Sequence, residues 1–99
     1  MVKKFDVYFC KMKGAIKPCV ILSPDEMNEL LPYVLVAPIT TLKHAFPCRA
    51  GVKLKGQAGQ VALDLICCVP KECFTDRIGS LPPPLQDEIS ELLKEFLCC

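Results

Sequence analysis

The sequence predicts a mainly β fold, a compact barrel or twisted sheet that ends in one α-helix. Short apolar runs bounded by Pro, Asp, Asn or Gly recur along the chain up to residue 69, which is typical of short strands joined by turns. The last segment instead repeats its apolar residues at helical spacing. With 99 residues, the chain suits one domain over 1–99.

The predicted strands cover residues 5–12, 16–22, 33–39, 51–55 and 60–69. The first alternates apolar and polar residues, and the second contains a continuous run rich in branched residues. We expect a helical turn at 25–30 and a hairpin turn at 56–59, where two glycines lie close together. Residues 73–78 are expected to form a short helical or irregular piece.

The C-terminal helix is predicted at about 84–97. Its apolar residues recur at the spacing of one helical face: Leu85, Ile89, Leu92, Leu93 and Phe96. Acidic and basic residues fill the remaining positions. This pattern predicts that the helix packs one face on the sheet and exposes the other.

Composition excludes several classes of protein. The net charge of +1 gives no bulk attraction to nucleic acid, so an anion site needs a few well-placed cations. No apolar run reaches the length of about 20 residues that spans a bilayer. Despite eight cysteines we find no secretory signal, and we expect a cytoplasmic protein with reduced thiols. With no Cys-x-x-Cys and one histidine, we predict no metal site.

One candidate site follows from strand pairing. Lys17 lies at the beginning of the predicted strand at 16–22, and Thr40 follows the strand at 33–39. If these strands pair antiparallel, the beginning of one lies beside the end of the other. Lys17 and Thr40 then become neighbours, and a cation beside a hydroxyl suits a phosphate group.

Several motifs carry a resemblance to a known family. They are Lys-Lys-Phe-Asp-Val-Tyr near the N-terminus, Lys-Pro-Cys-Val-Ile-Leu-Ser-Pro-Asp-Glu-Met-Asn from Lys17, Val-Ala-Pro-Ile-Thr-Thr ending at Thr41, Phe-Pro-Cys-Arg ending at Arg49, Gly-Gln-Val-Ala-Leu-Asp, and Arg-Ile-Gly-Ser-Leu from Arg77. With these motifs in this order, the chain resembles the MazF/PemK family of toxin–antitoxin ribonucleases over most of its length.

The resemblance implies a small Src-homology-3-like (SH3-like) barrel with a C-terminal helix, in a homodimer. It implies the toxin component of a type II toxin–antitoxin system. Such an mRNA interferase is an endoribonuclease that cleaves single-stranded RNA without a metal or cofactor. It is inhibited by an acidic antitoxin protein.

The resemblance also assigns catalytic positions. Lys17 occupies the place of a family arginine in the active site, and Thr40 matches the family's catalytic threonine. The structural alternatives are a solvated lysine and a threonine that bonds the local backbone.

We predict RNA contacts for four further residues: Ser23, Thr41, His44 and Arg49. His44 can also act as a general base, because histidine titrates near neutral pH. The structural alternatives are that Ser23 caps the turn after the second strand, that His44 is simply exposed, and that Arg49 pairs with an acid.

Departures from the family keep other hypotheses open. Cys67 and Cys73 stand where the family commonly has arginines, and the loop between the first two strands is short. The second hypothesis is therefore a catalytically weakened homologue that binds an antitoxin peptide or RNA without cleaving it. The third is a gyrase poison of the CcdB type, a class that acts through a C-terminal tryptophan, whereas this chain has no tryptophan.

Overall fold

The structure is a computed structural model that describes residues 2–41 and 49–97, with side chains described up to residue 95. The strands are β1 (Asp6–Met12), β2 (Ala15–Ile21), β3 (Tyr33–Thr40), β4 (Arg49–Leu54), β5 (Gln57–Ala62), β6 (Cys67–Pro70) and β7 (Phe74–Ser80). The helices are α1 (Asp25–Leu30) and α2 (Pro83–Leu97), with 3-10 turns at Leu63–Leu65 and Lys71–Cys73. The predicted class, mainly β with a C-terminal helix, is confirmed.

The strands form one curled antiparallel sheet in the order β4-β5-β3-β2-β1-β7, with β6 also paired to β3. Strand β3 has β2 along one edge. Along its other edge it pairs first with β6, through Tyr33 to Val36, and then with β5, through Ile39 and Thr40. The β4–β5 hairpin therefore joins the sheet only at the C-terminal end of β3.

Two hairpins are closed by the same dipeptide, Lys-Gly. Lys13-Gly14 joins β1 to β2, and Lys55-Gly56 joins β4 to β5. All four residues have positive φ, at 49° and 80° in the first turn and 50° and 79° in the second. Two positive φ values identify the tight hairpin turn that matches the twist of paired strands. The observed turn therefore begins one residue before the turn predicted at 56–59, and it is shorter than predicted.

The fifth predicted strand is broken in the structure. Residues 60–69 were predicted as one strand, but β5 ends at Ala62 and β6 begins at Cys67, with a 3-10 turn between them. No Gly or Pro within 60–69 signals the break. The turn inserts extra residues between the two segments that pair with β3, so the chain bends there and continues along the same edge.

The prediction for residues 73–78 is also wrong, because most of them form the edge strand β7. This strand pairs with β1. At the end of the pair, the Asp6 carboxylate accepts hydrogen bonds from the Ser80 hydroxyl at 2.8 Å and from the Arg77 guanidinium at 3.4 Å. These contacts fix β7 although its exposed residues give it no clear apolar alternation.

The apolar residues form two buried clusters. One lies between the sheet and α2, and it includes Val20, Val61, Leu63 and Ile89, each fully buried. Leu85, Leu92 and Leu93 pack against it, as the helical spacing predicts, while the side chain of Phe96 lies outside the described residues. The second cluster contains Cys10, Cys19, Ile21, Val34, Val36 and Val69. Within the described parts of the chain, no helix has the length and apolarity needed to cross a membrane.

Candidate functional site

A cleft of about 600 Å³ lies between the turn of the β4–β5 hairpin and the adjoining parts of β1, β2 and β3. We call it the cleft throughout. Its described lining residues are Phe9, Lys17, Pro18, Pro38, Ile39, Thr40, Thr41, Leu54, Lys55, Gln57, Ala58, Gly59 and Leu65. The largely apolar lining with a few convergent polar groups is typical of a ligand site.

Lys17 and Thr40 reach the same cleft because of the β2–β3 register. Cys19 pairs with Pro38 in this antiparallel ladder. Lys17 comes two residues before Cys19, and Thr40 comes two residues after Pro38, so both lie at the same end of the strand pair. Both line the cleft, and Thr41 joins them. The predicted proximity of these residues is thus confirmed.

The electrostatic character of the cleft is positive. Its described ionisable lining residues are two lysines, Lys17 and Lys55, and its described lining contains no carboxylate. Opposing walls of low polarity strengthen the field between such charges. The cleft therefore suits an anion, and hydroxyls at Thr40 and Thr41 add groups that can hydrogen-bond it.

Sequence reasoning missed Lys55 as a site residue and placed it at the end of the predicted strand at 51–55. Its position follows from the observed turn: Lys55 is the first residue of the Lys-Gly turn, and it lines the cleft. The ammonium nitrogen of Lys55 lies 5.8 Å from the ring centroid of Phe9. A Lys-Gly dipeptide between two alternating runs is the signal that could have located the turn.

Ser23 does not reach the cleft. Its side chain is buried at 4% exposure, and its hydroxyl hydrogen-bonds to the side chain of Asn28. The same oxygen accepts a hydrogen bond from the Leu35 main-chain nitrogen at 3.2 Å, and the Asn28 amide donates to the Ser23 carbonyl at 3.0 Å. These contacts fit the structural alternative, in which Ser23 orders the turn before α1, and they do not support an RNA contact.

Arg49 is likewise engaged in a structural contact. Its guanidinium donates two hydrogen bonds to the Asp64 carboxylate, Nε to Oδ1 at 2.6 Å and Nη2 to Oδ2 at 3.0 Å. The Arg49 side chain is only 6% exposed. This bidentate pair links the start of β4 to the 3-10 turn after β5 and fits the predicted alternative of pairing with an acid.

His44 lies outside the described residues, so its predicted role stays a prediction. The cysteines that are described gather mainly in the second apolar cluster, away from the cleft. Burial, and then the neighbouring Cys10 and Cys67 thiols, raise the pKa of Cys19 to about 12. Burial also raises the pKa values of Cys10 and Cys67. Thiols of this kind are poor nucleophiles, and the described residues include no group of three or more His, Cys, Asp or Glu arranged to hold a metal ion.

Comparison with known proteins identifies a family. The model of the family described as the PemK-like, MazF-like toxin of type II toxin–antitoxin systems matches residues 3–97. Among curated proteins, the endoribonuclease EndoA of Bacillus subtilis (strain 168) is 26% identical over an alignment of 107 residues including gaps, which covers 95% of this chain and 92% of that protein.

Solved structures share the fold. An endoribonuclease in complex with its cognate antitoxin, from a mycobacterial species, superposes with a TM-score of 0.90 at 23% identity, over 99% of this chain and 96% of that one. MazF in the MazE–MazF complex of Deinococcus radiodurans (Form-II) gives a TM-score of 0.84 at 17% identity, over 97% of this chain and 94% of that one. The likeness extends over nearly the whole chain, C-terminal helix included.

Proposed function

The chain belongs to the PemK-like, MazF-like family of type II toxin–antitoxin toxins, and from this membership we propose that it is the toxin of such a system, an endoribonuclease that cleaves single-stranded RNA without a metal. One observation supports this activity most directly. The cleft brings the cation of Lys17 together with the hydroxyl groups of Thr40 and Thr41. We propose that residues 1–99 act as one toxin domain.

Metal-free cleavage of RNA uses the substrate as its own nucleophile. The 2′-hydroxyl oxygen attacks the adjacent phosphorus, the bond from phosphorus to the 5′ oxygen breaks, and a 2′,3′-cyclic phosphate and a 5′-hydroxyl result. One proton leaves the 2′-hydroxyl and one is delivered to the 5′ oxygen. Negative charge grows on the non-bridging oxygens in the transition state and must be stabilised by nearby donors or cations.

The residues of the cleft match part of this requirement. The Lys17 ammonium stabilises the charge on the phosphate oxygens, and it is a candidate to protonate the 5′ oxygen. Thr40 and Thr41 hold the phosphate or the 2′-hydroxyl by hydrogen bonds. His44 is the candidate to accept the proton of the 2′-hydroxyl, and it stays a prediction because it lies outside the described residues.

The same positive cleft is a natural binding site for an inhibitor. An acidic antitoxin segment that reaches the cleft would present carboxylates to Lys17 and Lys55, the groups we assign to RNA phosphates. Competition for these cations would block the enzyme. We propose this mode of inhibition, and a homodimeric toxin, from family membership together with the charge of the cleft.

One observation favours the second hypothesis, a homologue that binds without cleaving. No arginine lines the described part of the cleft, and Arg49 is held in its pair with Asp64. A lysine makes a point contact with phosphate, whereas the planar fork of arginine grips two oxygens at once. The two hypotheses differ in what happens when Lys17 is replaced by arginine.

The test is incubation of the purified chain with single-stranded RNA in excess EDTA. We expect fragments with 5′-hydroxyl and cyclic-phosphate ends. Lys17→Ala should cut about 100-fold more slowly or worse, the usual loss for one charge-stabilising group. Lys53→Ala is the matched control, because Lys53 is exposed on β4 outside the cleft.

Each outcome separates the hypotheses. Intact RNA with the wild type would overturn the endoribonuclease proposal, and cleavage gained by Lys17→Arg in that case would identify a weakened homologue. If the wild type cuts but Lys17→Ala cuts equally well, the activity stands and the role of Lys17 is wrong.

A further inference from the structure

An aromatic ring forms part of the floor of the cleft. Phe9 lies on β1 opposite Pro18 on β2, and both residues are half-buried and line the cleft. The carbonyl of Phe9 accepts a hydrogen bond from the Thr75 hydroxyl of the neighbouring strand β7 at 3.3 Å. The ring is therefore carried by a strand that is paired on both edges, which fixes the main chain from which the ring projects.

Lys55 covers this ring from the opposite wall. Its ammonium nitrogen lies 5.8 Å from the Phe9 ring centroid, within the range of a cation–π contact. The lysine is exposed at the tip of the β4–β5 turn, so the contact is made partly in water and is weak. A flat ligand of comparable area can take its place, and the flexible lysine side chain can then move to a nearby anion.

Gln57 adds a group of a different kind. It begins β5 directly after the turn, and it lines the same cleft. Its side-chain amide offers two N–H donors and one carbonyl acceptor, a set that matches the edge of a nucleobase. An aromatic face, a mobile cation and an amide thus lie beside the phosphate site assigned to Lys17 and Thr40.

We propose that Phe9, Lys55 and Gln57 form a subsite for one unpaired nucleobase of single-stranded RNA. The base stacks on the Phe9 ring and displaces the Lys55 ammonium, which then contacts an adjacent phosphate. Gln57 bonds the edge of the base and sets a preference among bases. This inference rests on the proposed function, because it places the base next to the phosphate that the enzyme is proposed to cleave.

The test measures binding, so that it does not depend on cleavage. The probes are a fluorescein-labelled DNA strand of 12 nucleotides with mixed sequence and a fully abasic strand of the same length and charge. Neither can be cleaved, because both lack the 2′-hydroxyl. Anisotropy at low salt gives the dissociation constants, and their ratio reports the contribution of the bases.

We expect the wild type to prefer the strand with bases. Phe9→Leu should reduce that preference about 5- to 150-fold, the range for loss of one stacking contact, while binding of the abasic strand is unchanged. Unchanged abasic binding also shows that the variant is folded. Phe9→Tyr keeps the ring and should keep the preference.

The role of Lys55 has a matched control in the first hairpin. Lys13 has the same residue type, the same turn position and nearly the same φ, and it is absent from the cleft lining. Asparagine tolerates positive φ, so Lys55→Asn and Lys13→Asn perturb the two turns alike. We expect Lys55→Asn alone to weaken binding of the strand with bases and to lower its salt dependence by about one phosphate contact.

The outcomes distinguish the nucleobase subsite from the endoribonuclease proposal. Equal wild-type affinity for both strands, or a preference retained by Phe9→Leu, would overturn the nucleobase subsite, even if RNA is cleaved. A preference that depends on Phe9 in a chain that cleaves no RNA would support the subsite and overturn the endoribonuclease proposal. No binding of either strand by the wild type would overturn the subsite.

Discussion

Gly59 packs directly against the main chain of Thr40. A Cβ atom built on Gly59 would lie 3.1 Å from the Thr40 carbonyl oxygen and 3.2 Å from a methyl carbon of Ile39. Gly59 is buried, and its neighbour Gln60 pairs with Thr40 in the β3–β5 ladder. The absence of a side chain therefore allows β5 to approach the end of β3, where a candidate catalytic residue lies.

Replacing Gly59 by alanine should disturb both folding and the site. The added methyl group must push the Thr40 carbonyl by a few tenths of an ångström, and we expect a loss of about 1–3 kcal/mol of unfolding free energy, as for other overpacked positions. RNA cleavage should fall by more than the stability loss explains, because Thr40 moves. Urea unfolding and the cleavage assay measure the two effects.

Gly51→Ala is the control for this prediction. Gly51 lies on the neighbouring strand β4, and a Cβ there would meet no atom within 4 Å. We expect alanine at this position to leave stability and cleavage nearly unchanged. If the two alanine variants behave alike, the close approach of Gly59 to Thr40 has no energetic consequence.

Asp64→Asn should be strongly destabilising. The change removes the carboxylate charge from a bidentate contact with a guanidinium that is 6% exposed, and breaking one side of a buried ion pair typically costs about 3–5 kcal/mol. The partial exposure of Asp64, 26%, favours the lower end of this range. Urea unfolding gives the value.

The exposed pair of Lys94 and Glu91 provides the comparison. Both side chains are at least 70% exposed, so Glu91→Gln should change the unfolding free energy by no more than about 0.5 kcal/mol. A loss in Asp64→Asn as small as in Glu91→Gln would show that the Arg49–Asp64 pair does not stabilise the 3-10 turn after β5.

The raised pKa of Cys19 predicts how the free energy of unfolding depends on pH. Its pKa is raised to about 12 from an ordinary value of 9.0, first by burial and then by neighbouring thiols. Between these two values the unfolded chain loses the proton and the folded chain keeps it, so stability falls as pH rises above 9. Below that pH, the thiol makes no pH-dependent contribution.

Cys19→Ala isolates this effect. The variant should lose part of the alkaline fall in unfolding free energy, measured by urea unfolding at a series of pH values. The matched change of the exposed Cys68 to alanine should leave the fall as in the wild type. Parallel curves for the wild type and Cys19→Ala would contradict the prediction.

Part of the site could be predicted because it depends on strand pairing alone. Two apolar runs joined by a polar turn imply an antiparallel pair, and that pairing is enough to bring Lys17 and Thr40 together. The helical face of α2 was equally predictable, since Ile89 and its neighbours recur at the required spacing.

The rest of the fold and of the site depends on contacts between residues that are distant in the sequence. The break at Leu63–Leu65 has no Gly or Pro, and it coincides with an ion pair to Arg49, fifteen positions away. Gly56 and Gly59 look alike in the sequence, yet only Gly56 has positive φ, whereas Gly59 serves close packing. Since the turn was misplaced, the position of Lys55 over the cleft could not be found.

The change of partners along β3 sets the tip of the β4–β5 hairpin beyond the residues that pair with β3. The tip of the β4–β5 hairpin, Lys55-Gly56, lies beyond the paired residues Ile39 and Thr40, while Ala50 and Val61 anchor its base in the core. Tilting of the tip would therefore leave the β1–β2 ladder intact. Amide hydrogens near the tip should exchange with solvent sooner than those of β2, which is paired on both edges.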